Sequence, residues 1–308
     1  MKITNVSVGI FVNQSKVLLG KRPLNRPWHG WWEFPGGKIK LGEKPQEALI
    51  REIKEELGVI VEKPVKWLTR LHYYDNQPFR LHFFKIFSWK NTPLMREHDE
   101  LKWVDINKPS VDPILPANQI IFKSLALPTT YAITNMNEFK GNFMSALKKH
   151  IELGMSLIQI REKEMKNMEL EIFSKKILDI KSKYQFKVLI NSNLDLARRI
   201  NADGLHLNSN QLYQKIDLPK GMIKAASCHS IDDLKQAEKI SCDFALLSPV
   251  KKTLSHPQIK PMGWYQFQKI INQVQIPVYA LGGMSPDDIR KAQSRGSVGI
   301  ASQRAIWN

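Results

Sequence analysis

Most of the fold information in the first part of this chain lies in residues 36–59, which read GGKIKLGEKPQEALIREIKEELGV. Pro45 suits the first turn of a helix and Gly58 suits a C-terminal cap, so the segment predicts a helix over Gln46–Leu57. The apolar positions of this helix recur on one face, which we expect to pack against a sheet. These positions are Ala48, Leu49, Ile53 and Leu57.

The opposite face of the predicted helix is acidic. At about 100° per residue, Glu52, Glu55 and Glu56 share a wedge of about 100°. Like charges this close repel each other, and a hard divalent cation that prefers oxygen ligands would offset the repulsion. The double glycine before the helix would let a backbone carbonyl approach the same ion, and Arg51 would orient the acidic group with Glu47, four residues before it. The alternative is an ordinary solvated acidic face that nearby lysines neutralise.

The segments around this helix are rich in β-formers. Val6–Val12 and Val17–Leu19 flank Asn13-Gln14-Ser15, which is a hairpin signal. Leu81–Phe87 is a further strand candidate, and Asn118–Leu125 is a second helix candidate. Mixed strands with two helices predict an α+β fold in which a mixed sheet lies between helices.

The chain changes character after Leu127-Pro128, where short apolar strands begin to alternate with amphipathic helices. Eight such strands predict a closed parallel α/β barrel of the TIM type, with its chemistry at the carboxyl ends of the strands. We therefore expect two domains, residues 1–128 and 129–308. The strands are expected at Tyr131–Thr134, Leu157–Ile160, Val188–Ile190, Gly204–Leu207, Ile223–Ala226, Phe244–Leu247, Val278–Leu281 and Val298–Ala301. Helical periodicity marks Ala146–Leu153, Leu170–Tyr184 and Ile231–Ile240.

The composition is that of a globular protein, with 43% hydrophobic and 24% charged residues among 308. No apolar run approaches the roughly 20 residues that a membrane helix needs, and residues 1–5 do not resemble a secretion signal. The only cysteines are Cys228 and Cys242, which cannot form a disulfide framework. We therefore expect a cytoplasmic chain without a membrane partner.

The formal net charge is +17, and both parts of the chain contribute to it. Residues 1–128 hold 20 Lys and Arg against 13 Asp and Glu, and residues 129–308 hold 26 against 16. Such a field attracts anionic small molecules or nucleic acid, although a basic background composition would produce it too. The longest Lys/Arg runs are pairs and no basic patch interleaves with aromatics, so we expect no stable nucleic-acid partner.

Residues 37–59 resemble the Nudix box, G-x5-E-x7-R-E-U-x-E-E-x-G-U with U aliphatic, and they match it at every position. The resemblance implies hydrolysis of a nucleoside diphosphate linked to another group. It also implies Mg²⁺, with Mn²⁺ as the alternative, and assigns catalytic roles to Arg51, Glu52 and Glu55; a narrower similarity within the family adds Glu97 to these catalytic residues. Lys44 departs from the Ser or Thr cap that often precedes Pro45, which would weaken the helix start by ~1 kcal/mol.

Residues 1–128 are similar, within this family, to the MutT type, which converts 8-oxo-dGTP to 8-oxo-dGMP and pyrophosphate. The similarity covers Val8-Gly9-Ile10, Lys21-Arg22, residues 33–39, the box, Glu97 ahead of Trp103, and Pro116-Ala117-Asn118. It implies that the metal ligands are the Gly36 carbonyl, Glu52, Glu55, Glu56 and Glu97. It further implies that Arg22 contacts phosphate, that Asn118 reads the purine edge, and that Phe34 lines the base pocket.

Two of these residues have alternative roles, because Asn118 would also serve as a helix N-cap and Phe34 as a core residue. Several aromatic side chains would be available for stacking on a base, although a core role is the alternative for most of them. They are Trp28, Trp31, Trp32, Phe83 and Phe84.

Residues 129–308 resemble thiamine-phosphate synthase and its tautomerase relatives. The matching segments include residues 159–163 (QIREK), Ile190-Asn191, residues 202–207 (ADGLHL), residues 227–229 (SCH), residues 248–250 (SPV), residues 282–284 (GGM) and residues 299–306. The resemblance implies a phosphate-ester site in the barrel. Its candidate residues are Arg161, Lys163, Asn191, Gly283 and Ser302, with the amides of 282–283 and 301–302 placed before short helices.

The barrel departs from the synthase pattern where the resemblance would place magnesium ligands. Ser192 stands in place of one aspartate, and the stretch Asn208-Ser209-Asn210 lacks the second. A lysine expected in the sixth loop aligns near His256. We expect His206 and His229 to be buried, hydrogen-bonded side chains rather than catalytic bases.

The expected function is metal-dependent hydrolysis of oxidised purine nucleoside triphosphates, with the barrel as a degenerate phosphate-binding domain through which an oligomer could form. One alternative is a bifunctional protein whose barrel is an active thiamine-phosphate synthase. Another is a non-catalytic nucleic-acid binder.

Overall fold

A computed structural model describes residues 3–253 and 257–307, so His256 lies outside the described residues. The chain divides into two compact units, Met1–Leu127 and Pro128–Asn308. Among the described residues, no helix is both long and apolar enough to cross a membrane.

The first unit is built on a mixed sheet of seven strands, together with a two-stranded sheet and two helices. The elements are β1 (Thr4–Asn13), β2 (Lys16–Lys21), β3 (Trp32–Glu33), β4 (Gly36–Lys38), α1 (Pro45–Leu57), β5 (Ile60–Glu62), β6 (Val65–Tyr74), β7 (Gln77–Ile86), β8 (Ser88–Lys90), β9 (Glu100–Asp105) and α2 (Pro116–Ala126). The strand order of the large sheet is β3-β2-β1-β7-β6, with β4 paired to β1 and β9 paired to β2. Strand β1 runs parallel to β7 and antiparallel to β2 and β4.

The two helices cover opposite faces of this sheet, because successive strand residues point to opposite sides. Ile10 and Leu19 belong to a cluster that includes Ile121 of α2. Their neighbours Phe11 and Leu18 belong to a second cluster, which includes Ile53 of α1. The predicted mixed sheet between helices is therefore confirmed.

The second unit is a closed barrel of eight strands, each parallel to the next. Its elements are β10 (Thr130–Ile133), α3 (Phe143–Glu152), β11 (Leu157–Ile160), α4 (Asn167–Asp179), β12 (Lys187–Asn191), α5 (Leu194–Arg199), β13 (Gly204–Leu207), β14 (Ile223–Cys228), α6 (Ile231–Lys239), β15 (Phe244–Leu247), α7 (Gly263–Ile271), β16 (Val278–Ala280), α8 (Ile289–Ser294) and β17 (Ile300–Ser302). The predicted barrel is confirmed.

The helices of the barrel are less regular than eight repeated strand–helix units would require. β13 is followed by a 3₁₀ turn, Gln211–Tyr213, before β14 begins. Residues 303–307 after β17 form bends and a turn, so the predicted short helix behind Ser302 is wrong for the described residues.

Aromatic side chains fill the barrel interior. The rings of Tyr131, Phe244 and Tyr279 contact one another with centroids 5.2–5.9 Å apart, and all three are fully buried. The interior is thus a packed core, and the strand ends are left to form any binding site.

Candidate active sites of the two units

Helix α1 is held against the sheet by its apolar face. Ala48, Leu49, Ile53 and Leu57 are all fully buried, as the periodicity predicts. Gly9 permits this close approach, because a Cβ atom there would lie 2.9–3.3 Å from the side chains of Ile86, Ile53 and Leu49. The tight packing fixes the opposite, acidic face of α1 relative to the strands.

The start of α1 is better capped than Lys44 suggests. The Glu47 carboxylate accepts a hydrogen bond of 3.0 Å from the Lys44 backbone N–H, which forms the returning half of a capping box. The predicted pairing of Glu47 with Arg51 is therefore wrong, since Glu47 turns back to the helix start.

Arg51 instead gathers three other carboxylates. It donates to Glu43 at 2.8 Å, to Glu52 at 2.6 Å and to Glu55 at 3.1 Å. The hydrogen bonds from Arg51 lower the pKa of Glu43 to about 2. Arg51 thus orients Glu52 and Glu55 as predicted, but through direct hydrogen bonds.

Glu56 is the buried carboxylate of the acidic face, with 2% of the residue exposed. Its Oε2 accepts a hydrogen bond of 2.9 Å from the Gly36 backbone N–H. Burial raises the pKa of Glu56 to about 8 against the lowering effect of that bond, and the nearby Glu33 and Glu97 raise it further. The two carboxylate oxygens of Glu56 suit a hard dication, whose positive charge would offset the free-energy cost of burying a negative charge.

The double glycine makes the close approach possible. Gly36 has φ 145°, and a Cβ atom there would lie 2.1 Å from the Ser7 carbonyl oxygen. A Cβ atom on Gly37 would lie 2.2 Å from a carboxylate oxygen of Glu52. Gly36 therefore excludes a side chain, whereas a side chain at Gly37 would require the Glu52 carboxylate to move.

Glu97 lies across from α1 and is paired with Arg26, a residue that the sequence did not single out. Arg26 also lies 3.8 Å from Glu56. Glu97 and Arg26 line a cavity of about 450 Å³, and the other lining residues are Pro23, Asn25, Arg96, His98 and Asp99.

His98 is a second residue that the sequence did not indicate. Its ring lies against Gly20, where a Cβ atom would be 2.3 Å away. Burial lowers the pKa of His98 to about 4, and its Nδ1 atom has no hydrogen-bond partner among the residues that the structure describes. The burial of the His98 ring follows from its packing against Gly20, which no local sequence pattern indicates.

The residues predicted to contact substrate lie in the connection after β2, in the connection between β3 and β4, and on α2. Arg22 forms a 2.5 Å ion pair with Glu33, and its Nε donates to the Pro27 carbonyl at 2.7 Å. Phe34 is 3% exposed and stacks on Phe122 with a centroid distance of 5.5 Å, so its ring lies in the core.

Asn118 is buried in the first turn of α2, and Leu115 is the N-cap of that helix, so the alternative of Asn118 as the cap is wrong. The hydroxyl oxygen of Tyr74 accepts a hydrogen bond from the backbone N–H of Ala117, the residue before Asn118. Half-buried Trp28 contacts the rings of Tyr74 and Trp31, at 5.8 Å and 4.9 Å.

The structure leaves Trp28 and Trp31 as the partly accessible members of the predicted aromatic set. Trp32, Phe83 and Phe84 are buried in the core, as the alternative stated.

Among the described residues, no group of three or more acidic, histidine or cysteine side chains is arranged to hold a metal ion. Arg51 contacts the carboxylates of Glu43, Glu52 and Glu55, and Arg26 contacts those of Glu56 and Glu97. Carboxylate oxygens are the ligands that a hard dication prefers, so the chemistry of these side chains fits such an ion.

At the mouth of the barrel, the candidate residues lie at the ends of different strands. Arg161 follows β11, and burial lowers its pKa. Lys163 is exposed. Asn191 accepts a 2.9 Å hydrogen bond from Gln159, Gly283 has φ 65°, and the Ser302 hydroxyl donates to the Met284 carbonyl at 2.9 Å.

The positions implied as magnesium ligands form a neutral network instead. The Asn208 amide donates to the Ser192 hydroxyl at 3.0 Å, and the Gln211 amide donates to the Ser192 carbonyl at 2.8 Å. Asn208 Oδ1 in turn accepts from the Gln211 backbone N–H at 2.9 Å, whereas Asn210 is exposed. These groups satisfy each other and carry no charge, so they do not fit a magnesium ion.

The two histidines behave differently. His206 is fully buried between the Tyr131 hydroxyl at 3.3 Å and the Ser227 hydroxyl at 2.9 Å, as predicted. His229 is exposed, so the prediction that it is buried is wrong. It still contacts the Ser248 carbonyl oxygen, 3.0 Å from its Nδ1.

Comparisons with known proteins match the two parts of the chain to different families. Residues 3–125 match the NUDIX domain model, and residues 130–306, more than half of the chain, match the thiamine monophosphate synthase model. The "Putative thiamine-phosphate synthase 2" of Aquifex aeolicus is 36% identical over 58% of this chain and 96% of its own length.

Solved structures resemble each unit. A thiamine phosphate pyrophosphorylase from Pyrococcus furiosus covers 58% of this chain and 87% of its own, with 23% identity and a TM-score of 0.50, which supports the barrel fold. A MutT NUDIX hydrolase from Burkholderia pseudomallei covers 40% of this chain and 98% of its own, with 24% identity and a TM-score of 0.38. The chain therefore belongs to the thiamine monophosphate synthase family through its barrel, and it carries a Nudix hydrolase domain ahead of that barrel.

Proposed function

We propose that the Nudix unit is a Mg²⁺-dependent diphosphatase of oxidised purine nucleoside triphosphates, which converts 8-oxo-dGTP to 8-oxo-dGMP and pyrophosphate. The observation that carries this proposal is the acidic face of α1, where Arg51 orients Glu52 and Glu55 beside the buried Glu56. Such an activity would remove oxidised precursors before DNA replication uses them.

The carboxylates of Glu52, Glu55, Glu56 and Glu97, with the Gly36 carbonyl, would hold Mg²⁺ or Mn²⁺. Such an ion, when bound, neutralises the polyphosphate and lowers the pKa of water. One of Glu52, Glu55 or Glu97 accepts the proton of the attacking water. The new oxygen bond forms at the β-phosphorus while its bond to the α-phosphate oxygen breaks.

The remaining residues bind and orient the nucleotide. Arg22 exchanges its partner Glu33 for a phosphate, which a guanidinium binds with similar geometry. Asn118 offers a donor and an acceptor to the purine edge, and Trp28 with Tyr74 provides aromatic surface beside it. Phe34 supports this pocket from the core.

The test is a substrate panel of 8-oxo-dGTP, dGTP, ADP-ribose and thiamine diphosphate, with every product identified by chromatography. We expect the highest kcat/KM for 8-oxo-dGTP, with a monophosphate and pyrophosphate as products. Turnover should vanish in Glu56→Gln and persist in Glu47→Gln, a matched change on the same helix whose carboxylate serves only the helix start. Preference for ADP-ribose, or equal turnover in Glu56→Gln, would overturn the proposal.

For the barrel we propose the binding of a phosphate ester by Arg161, Lys163, Asn191, Gly283 and Ser302. A second candidate function is thiamine-phosphate synthesis, which the family match and the Aquifex aeolicus relative favour. The neutral Ser192–Asn208–Gln211 network argues against it. The full chain should therefore fail to rescue a thiamine auxotroph, and growth that depends on Arg161 would establish the synthase instead.

A further inference from the structure

A loop of residues 22–31, between β2 and β3, brings a basic side chain to the acidic cluster from outside the Nudix box. Its base is closed by two 2.9 Å hydrogen bonds, from the Arg22 N–H to the Trp31 carbonyl and from the Gly30 N–H to the Arg22 carbonyl. The Arg26 N–H donates to the Pro23 carbonyl at 3.1 Å. The backbone of Arg26 is therefore held in a compact loop, and its side chain extends to the acidic cluster.

The guanidinium of Arg26 contacts two of the proposed metal ligands. It is hydrogen-bonded to Glu97 and lies 3.8 Å from Oε1 of the buried Glu56. Arg51 is already bound to the carboxylates on the other side of the cluster. Arg26 thus neutralises the part of the cluster that Arg51 does not reach.

We propose that Arg26 is a displaceable counter-cation, which holds Glu56 and Glu97 until a dication takes them and then moves to the polyphosphate of the nucleotide. The proposal rests on the proposed function of the Nudix unit. A guanidinium and a dication on the same two carboxylates repel each other, so one must leave when the other binds. Phosphate oxygens are the anions that a guanidinium binds best in two-pronged geometry.

The structure provides space for this movement. Arg26 is 38% exposed and lines the cavity of about 450 Å³ next to Glu97. Arg22 lies at the base of the same loop, so both arginines would reach one polyphosphate from one side.

The exchange makes metal and nucleotide binding cooperative. A nucleotide that attracts Arg26 frees two carboxylates for the metal, and by linkage the metal promotes nucleotide binding by the same factor. Without nucleotide, Arg26 competes with the metal and weakens its binding.

The experiment measures Mn²⁺ binding to the full chain from the electron paramagnetic resonance signal of free Mn²⁺, with and without a non-hydrolysable triphosphate analogue. We expect Arg26→Ala to bind Mn²⁺ about threefold to tenfold more tightly than the wild type without nucleotide, since one cation competitor is gone. The enhancement by the analogue should shrink, and the KM of the hydrolysis should rise more than kcat falls.

Arg96→Ala is the matched control, because Arg96 lines the same cavity but donates to the Lys54 carbonyl at 3.2 Å. It removes the same charge without freeing Glu56 or Glu97, so Mn²⁺ binding should change less than in Arg26→Ala. Arg26→Gln repeats the test with a polar side chain, and thermal unfolding shows whether each variant is folded.

Equal or weaker Mn²⁺ binding by folded Arg26→Ala and Arg26→Gln would overturn this proposal, while hydrolysis by the wild type would leave the proposed function standing. A wild type that binds no Mn²⁺ and hydrolyses no triphosphate would overturn both.

Discussion

The two candidate sites of this chain handle polar groups in opposite ways. In the Nudix unit, five carboxylates are held by two arginines, and burial pushes the pKa of Glu56 to about 8. In the barrel, hydroxyl and amide groups of Ser192, Asn208 and Gln211 satisfy one another without charge. One site therefore stores electrostatic repulsion that a cation would relieve, and the other stores none.

This difference teaches that the charge of the side chains at each site should set how that site responds to metal and pH. The activity of the charged site should depend on a dication, and the metal-free Nudix unit should lose stability as the pH rises and the buried carboxyl group of Glu56 ionises. The neutral site should be indifferent to the metal. The barrel should lose stability in acid, because the unfolded state protonates His206 while the folded state keeps it neutral.

The largest effect is expected from removing a metal ligand. Glu52→Gln, or chelation of the metal, should lower pyrophosphate release by roughly a thousandfold, about 4 kcal/mol of transition-state stabilisation. A coupled assay of pyrophosphate measures it, and Ser192→Ala in the barrel is the control that should leave turnover unchanged. Similar losses in both variants would break the contrast between the sites.

The next effect concerns the stability of the metal-free Nudix unit. Because the pKa of Glu56 is raised from 4.5 to about 8, the folded state keeps a proton that the unfolded state releases. The contribution of Glu56 to stability is therefore fully present below about pH 4.5 and should fall by about 3 kcal/mol between about pH 5 and pH 8. Calorimetry with a chelator should show this loss in the wild type and in Glu47→Gln, but not in Glu56→Gln; a loss of equal size in Glu56→Gln would refute the assignment.

The barrel should respond to pH in the opposite direction. Burial, with Arg161 nearby, lowers the pKa of His206 from 6.5 to about 3, so below about pH 6.5 the unfolded state binds the extra proton. The barrel should lose about 2 kcal/mol between about pH 6.5 and pH 5 from this group. The barrel transition of His206→Gln, followed by calorimetry, should be less sensitive to acid by that amount, and an unchanged acid sensitivity would contradict the prediction.

The smallest effect concerns Asn118, a neutral residue on α2 of the same unit. Asn118→Ala should lower the preference for 8-oxo-dGTP over dGTP by roughly fivefold in kcat/KM, which is about 1 kcal/mol for one hydrogen-bonding amide. Gln119→Ala is the matched control, because the side-chain amide of Gln119 donates a 3.1 Å hydrogen bond to the Ile114 carbonyl. A loss of preference in the control alone would show that Asn118 does not read the base.

Local patterns were sufficient for much of the fold and for the acidic face. The helix predicted over Gln46–Leu57 is Pro45–Leu57 in the structure. Five of the eight predicted barrel strands have one or both ends at the observed residue, and the ends of the other three are displaced by one or two residues. Periodicity and turn residues carry this information because they act over a few residues. The Nudix spacing similarly placed Arg51 with its carboxylates, since one helical turn joins them.

Partners that are distant in sequence could not be read from such patterns. The pairing of Arg26 with Glu97 joins positions 71 residues apart, and the buried ring of His98 packs against Gly20, a residue far from it in sequence. His229 was expected to be buried, yet it is exposed at the end of its strand. Burial at a strand end depends on which loops cover it, and no local pattern records that.

Sequence alone was enough to indicate two units, the type of each fold and the residues of the acidic face, because hydrophobic period, caps and motif spacing are local properties of a chain. Folding in three dimensions settled which cation neutralises each carboxylate, that Glu47 serves the helix start, and that Ser192 is bound in a neutral network. The physical reason is that charge and hydrogen bonding depend on distances of a few ångströms between groups that only long-range packing brings together.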